Sequence, residues 1–407
     1  MLDKPKRYVI VGNGAAGTTA AETLRKNDSS CCIALIGDEP YPLYNRVALP
    51  PYIKGRTPRQ KVFLRTIEQH RERRIDLRLE TKVQAIDTDE RTVVLDGGYE
   101  LPYDALLIAT GGRPLPLRAE GADGVGAIYN FQYFDDAQGL VDQMREATSA
   151  AAVGGSYIAY ELAEAFRHNG LETTWLIRGP YFLRRVLDPD GGALVDDIAR
   201  HHGVNMVYGE EVSQVERSNG TIGAVVTNKG RRVPVDMLGA GLGMKMNLEL
   251  LQGTAIDTHE GVLTDECLET NVPGVYAAGD VAEFFDVTIG RHNMMGTWGN
   301  SVGHGRVAAM NMAGQRTAYE DIPMYSSGLF DSFIRVIGLT PESFPDLEDF
   351  ARLDAKNRSY QRLFFLDDRL VGAVLIGEMR FRTKIFACLR AREKITVEDR
   401  ARLLESW

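Results

Sequence analysis

Two stretches of the chain pass from a short unbroken apolar run, through small residues, into a segment with helical periodicity. Residues 8–24 read YVIVGNGAAGTTAAETL and residues 151–166 read AAVGGSYIAYELAEAF. An apolar run bounded by glycine is the pattern of a strand buried on both faces, and apolar residues recurring three and four positions apart mark one face of a helix. Each stretch therefore predicts strand, tight turn, helix. Each is followed by a second apolar run, CCIALIGDE at 31–39 and TTWLIRG at 173–179, at the spacing of a parallel strand reached through a crossover helix. One half-similar unit thus recurs, opening its turns at Gly12 and Gly154. YDALLIATGG at 103–112 and VDMLGAGLG at 235–243 predict further strands that end in small residues. Beyond residue 321 the pattern changes: SGLFDSFIRVIG, SYQRLFFLDDRLVGAVLIGE and TVEDRARLLESW predict antiparallel strands and a helix.

Composition narrows the chemistry. At 407 residues, with 44% hydrophobic and 25% charged residues, the chain has room for two or three domains with cores of their own. Forty-one glycines, about one residue in ten, exceed ordinary usage and call for turns that only glycine can make. The net charge of −9 gives no general drive towards nucleic acid or an anionic lipid surface. Any phosphate must be bound locally. The four cysteines, at 31, 32, 267 and 388, form no C-x-x-C and no metal-ligand spacing, which predicts no metal site, no disulfide scaffold and a reducing, cytoplasmic setting. Cys31 and Cys32 open a strand and are expected to be buried. The N-terminal residues run straight into the first strand, leaving no room for a signal segment, and no 18-residue apolar run predicts a membrane span.

Gly12-Asn13-Gly14-Ala15-Ala16-Gly17 is a G-x-G-x-x-G turn between strand and helix. Its glycines permit a tight turn, approach of backbone to a pyrophosphate, and close packing of helix on strand. The acidic pair Asp38-Glu39 ends the second strand, where a carboxylate can accept a ribose hydroxyl; Glu39 is the favoured member. The second turn departs from the pattern as Gly154-x-Ser156-x-x-Ala159, and Ser156 is expected to intrude on a bound phosphate, weakening it. Its second strand ends in Ile177-Arg178, with Arg184 and Arg185 in the following loop and no acid. That charge suits a 2′-phosphate and opposes nothing in it. A third element, TNVPGVYAAGDVAE at 270–283, delivers Gly279-Asp280 to a turn.

These elements, in this order, resemble the FAD- and NAD(P)-binding reductases of the pyridine nucleotide-disulfide oxidoreductase superfamily over nearly the whole chain. The resemblance implies an α/β protein with two Rossmann-like dinucleotide-binding domains and a C-terminal α+β interface domain. The FAD domain would occupy 1–115 and 246–320, the NAD(P) domain 116–245, and the interface domain 321–407. It further implies that Gly12, Gly14, Ala16, Gly17 and Glu39 hold the ADP half of FAD. Arg46, the strand ends Ala109, Thr110, Gly111 and Gly243, and Gly279 with Asp280 would complete the cofactor set. MMGTWGNSVGHGRVAAMNMAG at 294–314 looks like the family's helix towards the flavin pyrimidine ring, with Trp298 at the flavin edge and His304 where glutamine is usual. Gly154, Ser156, Arg178 and Arg184 would bind NADPH, preferred here to NADH. Tyr157 and Glu161 match the family's nicotinamide-site tyrosine and glutamate.

The departures limit the activity. No C-x-x-x-x-C pair is present, and Val47 stands where single-cysteine disulfide reductases carry their thiol, so thiol-disulfide exchange has no nucleophile. DEPYPLYNRVALPPYIKGR at 38–56 and RLVGAVLIGE at 369–378 look like the flavin domain of nitrite reductases and like rubredoxin reductases. Oxygenase-type ferredoxin reductases carry a lysine where this chain has Pro51, leaving Lys54 as a substitute. The resemblance implies hydride transfer from NAD(P)H to FAD and electron delivery to a rubredoxin, a ferredoxin or a nitrite-reductase-like subunit. A homodimer is within its range. Two other functions fit the same motifs: an oxidase reducing dioxygen or a small acceptor, and an interaction protein resembling apoptosis-inducing factors. A basic run, Arg380, Arg382, Lys384, Arg390, Arg392 and Lys394, is either a solvated face or a steering surface for an acidic partner.

Overall fold

The computed structural model describes residues 4–405 and divides into two compact units. The first holds residues up to Ala48, Thr57–Arg113 and Lys245–Asp321; the second holds Leu49–Arg56, Pro114–Met244 and the chain from Ile322 onward.

The first unit is built on a five-stranded parallel sheet in the order Val275–Ala277, Ala105–Ile108, Arg7–Val11, Cys32–Ile36, Asp76–Arg78. One face, through Tyr8, Ile10, Ile33 and Leu35, packs on helices Ala15–Asn27 and Trp298–Met312. The other, through Val9, Val11 and Ile36, packs with Ile86, Val93 and Leu95 of a three-stranded antiparallel sheet. Burial on both faces explains why these strands read as continuous apolar runs. Cys31 is buried, as expected, but Cys32 is exposed, because it is the first residue of its strand and not of the covered core.

The second unit contains a parallel sheet in the order Val204–Tyr208, Glu172–Ile177, Ser149–Val153, Met237–Ala240, Ile128–Tyr129. Helix Tyr157–His168 lies on it and buries Ala159, Leu162, Ala163 and Phe166 completely. A buried phenylalanine of this kind is worth roughly 3–5 kcal/mol against alanine. A five-stranded antiparallel sheet follows, in the order Met324–Leu329, Ser332–Gly338, Arg369–Ile376, Ser359–Leu366, Glu348–Asp354, with helix Arg382–Ala391 laid on it through Ile385 and Leu389. The short helix Leu49–Ile53, which the sequence reading placed with residues 1–115, packs in this second unit instead. The Tyr52 ring packs at a tilt 5.6 Å from that of Phe134, its hydroxyl donates to Gln138 at 2.7 Å, and Asn169 donates to the Ile53 carbonyl at 3.1 Å. Among the described residues no helix is long and apolar enough to cross a membrane.

Candidate functional site

The Gly12 turn joins the first strand to helix Ala15–Asn27. Gly12 adopts φ +110°, and a side chain there would run into the Ala109 carbonyl. A Cβ on Gly17 would strike the Gly12 carbonyl, which sets how closely the helix sits on its turn. Gly14 differs: it is the N-cap, and a Cβ on it would meet no protein atom within 4 Å. Packing does not demand a glycine there. Nor is the helix closed by its own side chains, since it has no side-chain cap and no acid in its first turn. Helices Pro189–His201 and Trp298–Met312 are closed by Asp188 and Thr297. Four orphan N–H groups and a positive dipole end beside an open space fit an anionic ligand such as a dinucleotide pyrophosphate. Ala16 is buried and lies within van der Waals reach of Gly279.

Asp38 is exposed, whereas Glu39 is half-buried and accepts from the Tyr44 hydroxyl at 2.7 Å and from Arg46 at 3.2 Å. Burial pushes the Glu39 carboxyl up, and Arg46 and Tyr44 pull it down. Each carboxylate oxygen has two lone pairs, so capacity for a ribose hydroxyl remains. Asp280 ends the Val275–Ala277 strand region with a carboxyl raised by burial and lowered by the Ser301 hydroxyl, which donates at 3.0 Å, and by the Arg46 charge. Thr110 donates to the Asn247 carbonyl at 3.1 Å, and Asn247 returns a bond to the Thr110 carbonyl at 2.8 Å. Asn247 escaped sequence reading because it sits 137 residues away with no motif around it. Gly111 follows in the left-handed region at φ +58°.

Trp298 is half-buried at the first turn of its helix, outside the core. His304 is completely buried between Phe284 and Tyr319, at ring distances of 4.7 and 4.2 Å, and its Nδ1 accepts the Gly279 N–H at 3.3 Å. Burial lowers its pKa to about 3, so it is neutral at physiological pH. The ring fixes the Gly279-Asp280 turn to the helix. Val47 is 56% exposed.

In the second unit, Gly154 takes φ +126° and would clash with the Gly241 carbonyl through any side chain. Ser156 does not behave as a free hydroxymethyl: its hydroxyl donates to the Gly241 carbonyl at 2.8 Å, which ties the turn to the end of the Met237–Ala240 strand. Helix Tyr157–His168 again has no side-chain cap and no acid in its first turn. Arg178 and Arg184 are exposed, with Arg178 3.6 Å from Glu211, and Gly243 is exposed at φ +104°. Tyr157 packs on Tyr325, ring centroids 4.1 Å apart, and burial holds its phenol well above the ordinary range.

Glu161 is buried one turn along the same helix. It accepts hydroxyls from Tyr325 at 2.9 Å and Ser327 at 3.0 Å, and burial pushes its carboxyl up to about 7 against the pull of those donors and of Lys54. The Lys54 side chain is only 8% exposed and pairs with Glu164 at 2.9 Å. The sequence offered Lys54 only as a substitute for the lysine absent at Pro51, with no indication of its partner; Glu164, Tyr325 and Ser327 carried no sequence signal.

A model of the family described as pyridine nucleotide-disulphide oxidoreductase matches residues 6–305, and one of the rubredoxin NAD+ reductase C-terminal domain matches residues 336–393. The chain is 31% identical over 342 residues to putidaredoxin reductase CamA of Pseudomonas putida, covering 82% of this chain and 80% of that one. It is 26% identical over 406 residues to an assimilatory nitrate reductase electron transfer subunit of Bacillus subtilis, of which it spans about half the length, 50%, with 97% of its own. The fold matches a ferredoxin reductase of the CYP199A2 system from Rhodopseudomonas palustris with a TM-score of 0.90, 24% identity and 97% coverage of both chains.

Proposed function

Because this chain belongs to the pyridine nucleotide-disulphide oxidoreductase family, we propose that it oxidises NADPH, holds FAD as its resident cofactor, and delivers electrons to a small redox protein of the rubredoxin or ferredoxin type. The observation that carries the reading is the pair of glycine-turn helices, one in each unit, whose N-termini are left without cap or acid. FAD, when bound, accepts a hydride and releases its electrons singly. Around it, the Gly12 turn and the Ala15–Asn27 N-terminus receive the pyrophosphate, Glu39 the adenosine ribose, and Asp280 a hydroxyl of the ribityl chain. The Gly154 turn receives the coenzyme pyrophosphate, while Tyr157 and Glu161 serve the nicotinamide end. Arg178 and Arg184, with no acid closing the Glu172–Ile177 strand, support NADPH over NADH.

For the acceptor, the support is the match of residues 336–393 to a rubredoxin reductase domain and an exposed Val47 where a thiol would be needed for disulfide chemistry. The four cysteines are all free, which supports a reducing, cytoplasmic setting. The test is anaerobic stopped-flow reduction of the bound flavin by NADPH and NADH, followed by turnover with a rubredoxin and a [2Fe–2S] ferredoxin. Protein that binds no FAD overturns the reading. Flavin that reoxidises rapidly in air, with no gain from either carrier, replaces the protein acceptor by dioxygen.

A further inference from the structure

Glu161 is held from outside its own helix. Tyr325 and Ser327 stand two residues apart on strand Met324–Leu329, so both side chains leave the same face. Both hydroxyls donate to one oxygen, Glu161 Oε1. The other groups facing this pocket are Lys54, Glu164, Tyr160 and Tyr157. Lys54 Nζ lies 2.9 Å from Glu164 Oε2, and the Tyr160 hydroxyl donates to that same oxygen at 3.2 Å. Two carboxylates thus share one ammonium among buried residues, and the ammonium is matched to Glu164. Glu161 is the odd charge, and its ionised form depends on the two hydroxyls.

We propose that Tyr325, seconded by Ser327, is a positioning residue of the nicotinamide site, pinning Glu161 Oε1 so that Oε2 presents an acceptor to the coenzyme carboxamide. The proposal rests on the reading of Glu161 as the nicotinamide-side carboxylate. It makes the C-terminal sheet part of the coenzyme site as well as of the domain matched to rubredoxin reductases. The phenol hydrogen bonds the ionised carboxylate, so its removal raises the pH at which Glu161 ionises. One of the two hydroxyl donors is lost and Ser327 remains, so the shift is about one pH unit.

The experiment uses the FAD-loaded full chain and the variants Tyr325→Phe, Ser327→Ala and Glu161→Gln. Tyr325→Phe keeps the ring that packs on Tyr157; Ser327→Ala is the second probe should the first misfold. The infrared band of the protonated carboxyl that Glu161→Gln removes is titrated. Its midpoint is expected to rise by about one unit in Tyr325→Phe. The pH profile of anaerobic flavin reduction by NADPH should move with it, which lowers the rate at neutral pH about fivefold while bound FAD stays constant. An infrared midpoint unmoved in both variants overturns the proposal. A midpoint that moves while the reduction profile stays put removes Glu161 from the nicotinamide site and the proposal with it. Wild-type flavin that neither coenzyme reduces overturns the proposed function itself, and the proposal falls with that reading.

Discussion

Arg178 exposes 78% of its side chain and shares Glu211 at 3.6 Å. A guanidinium so exposed is screened by water and salt, which trims the 1.5–3 kcal/mol of a charge-assisted bond. The Arg178→Ala, Arg184→Ala double variant is therefore expected to lose about tenfold or more in NADPH affinity with NADH affinity nearly unchanged, the difference shrinking as salt rises. Titration of both coenzymes at low and high salt checks it. No loss for either coenzyme would return the arginines to a solvated loop, and equal losses would move them from the 2′-phosphate to the shared pyrophosphate. Glu161 allows a second test, on stability. Its carboxyl pKa in the folded chain is about 7, above the ordinary 4.5, so folding favours the protonated form. That contribution is complete below about pH 4.5 and is lost as pH rises through about 7. Glu161→Gln keeps the shape without the charge. It is expected to raise the thermal midpoint at pH 8 by about 3 °C or more and to leave it nearly unchanged at pH 5. A gain of equal size at both values would mean that charge is not what is being relieved.

At the scale of the element, the glycine turn separates two roles that the sequence pattern merges. Gly17 serves packing, since its Cβ would strike the Gly12 carbonyl, whereas Gly14 borders open space. Gly14→Val should therefore fold with an ordinary melting curve and take up little or no FAD; Gly17→Val should be destabilised with or without FAD. Flavin absorbance of the purified variants, read beside circular dichroism melts, distinguishes the cases. Both turns were legible in the sequence because strand, turn and helix are contiguous and their spacing is local. The clasp on Glu161 was not. Tyr325 and Ser327 lie 164 and 166 residues from it, and a tyrosine and a serine in a strand have no distinguishing pattern. The partner of the Ser156 hydroxyl was hidden for a related reason: sequence names the group but not what it bonds, here the Gly241 carbonyl.

Over the whole molecule the charge is −9, so an acidic carrier must find a local positive surface. Arg380, Arg382, Lys384, Arg390, Arg392 and Lys394 are all exposed, on or beside helix Arg382–Ala391, while Ile385 and Leu389 turn inward. Reversing Arg382, Lys384 and Arg390 to glutamate is expected to lower kcat/KM for an acidic rubredoxin by tenfold or more at low salt, on the order of a lost steering field, and to leave flavin reduction by NADPH untouched. Steady-state turnover across ionic strength checks it; a variant as fast as the parent would make this face a solvated one. The two dinucleotide folds and the antiparallel sheet were readable from period and turns, but the allegiance of Leu49–Arg56 was not, because it is decided by the distant partners Phe134, Gln138 and Asn169.

That eight-residue excursion also bears on synthesis. Leu49 and Ile53, both buried in the finished protein, leave the ribosome well before Phe134, Gln138 and Asn169, the partners on which their segment packs. At about 5–20 residues per second the wait lasts on the order of ten seconds. During that interval the nascent chain carries an apolar segment with no cover of its own, the kind of stretch that chaperones bind. A gene fragment spanning only 114–244 would lack it permanently and leave its seat on Phe134 bare.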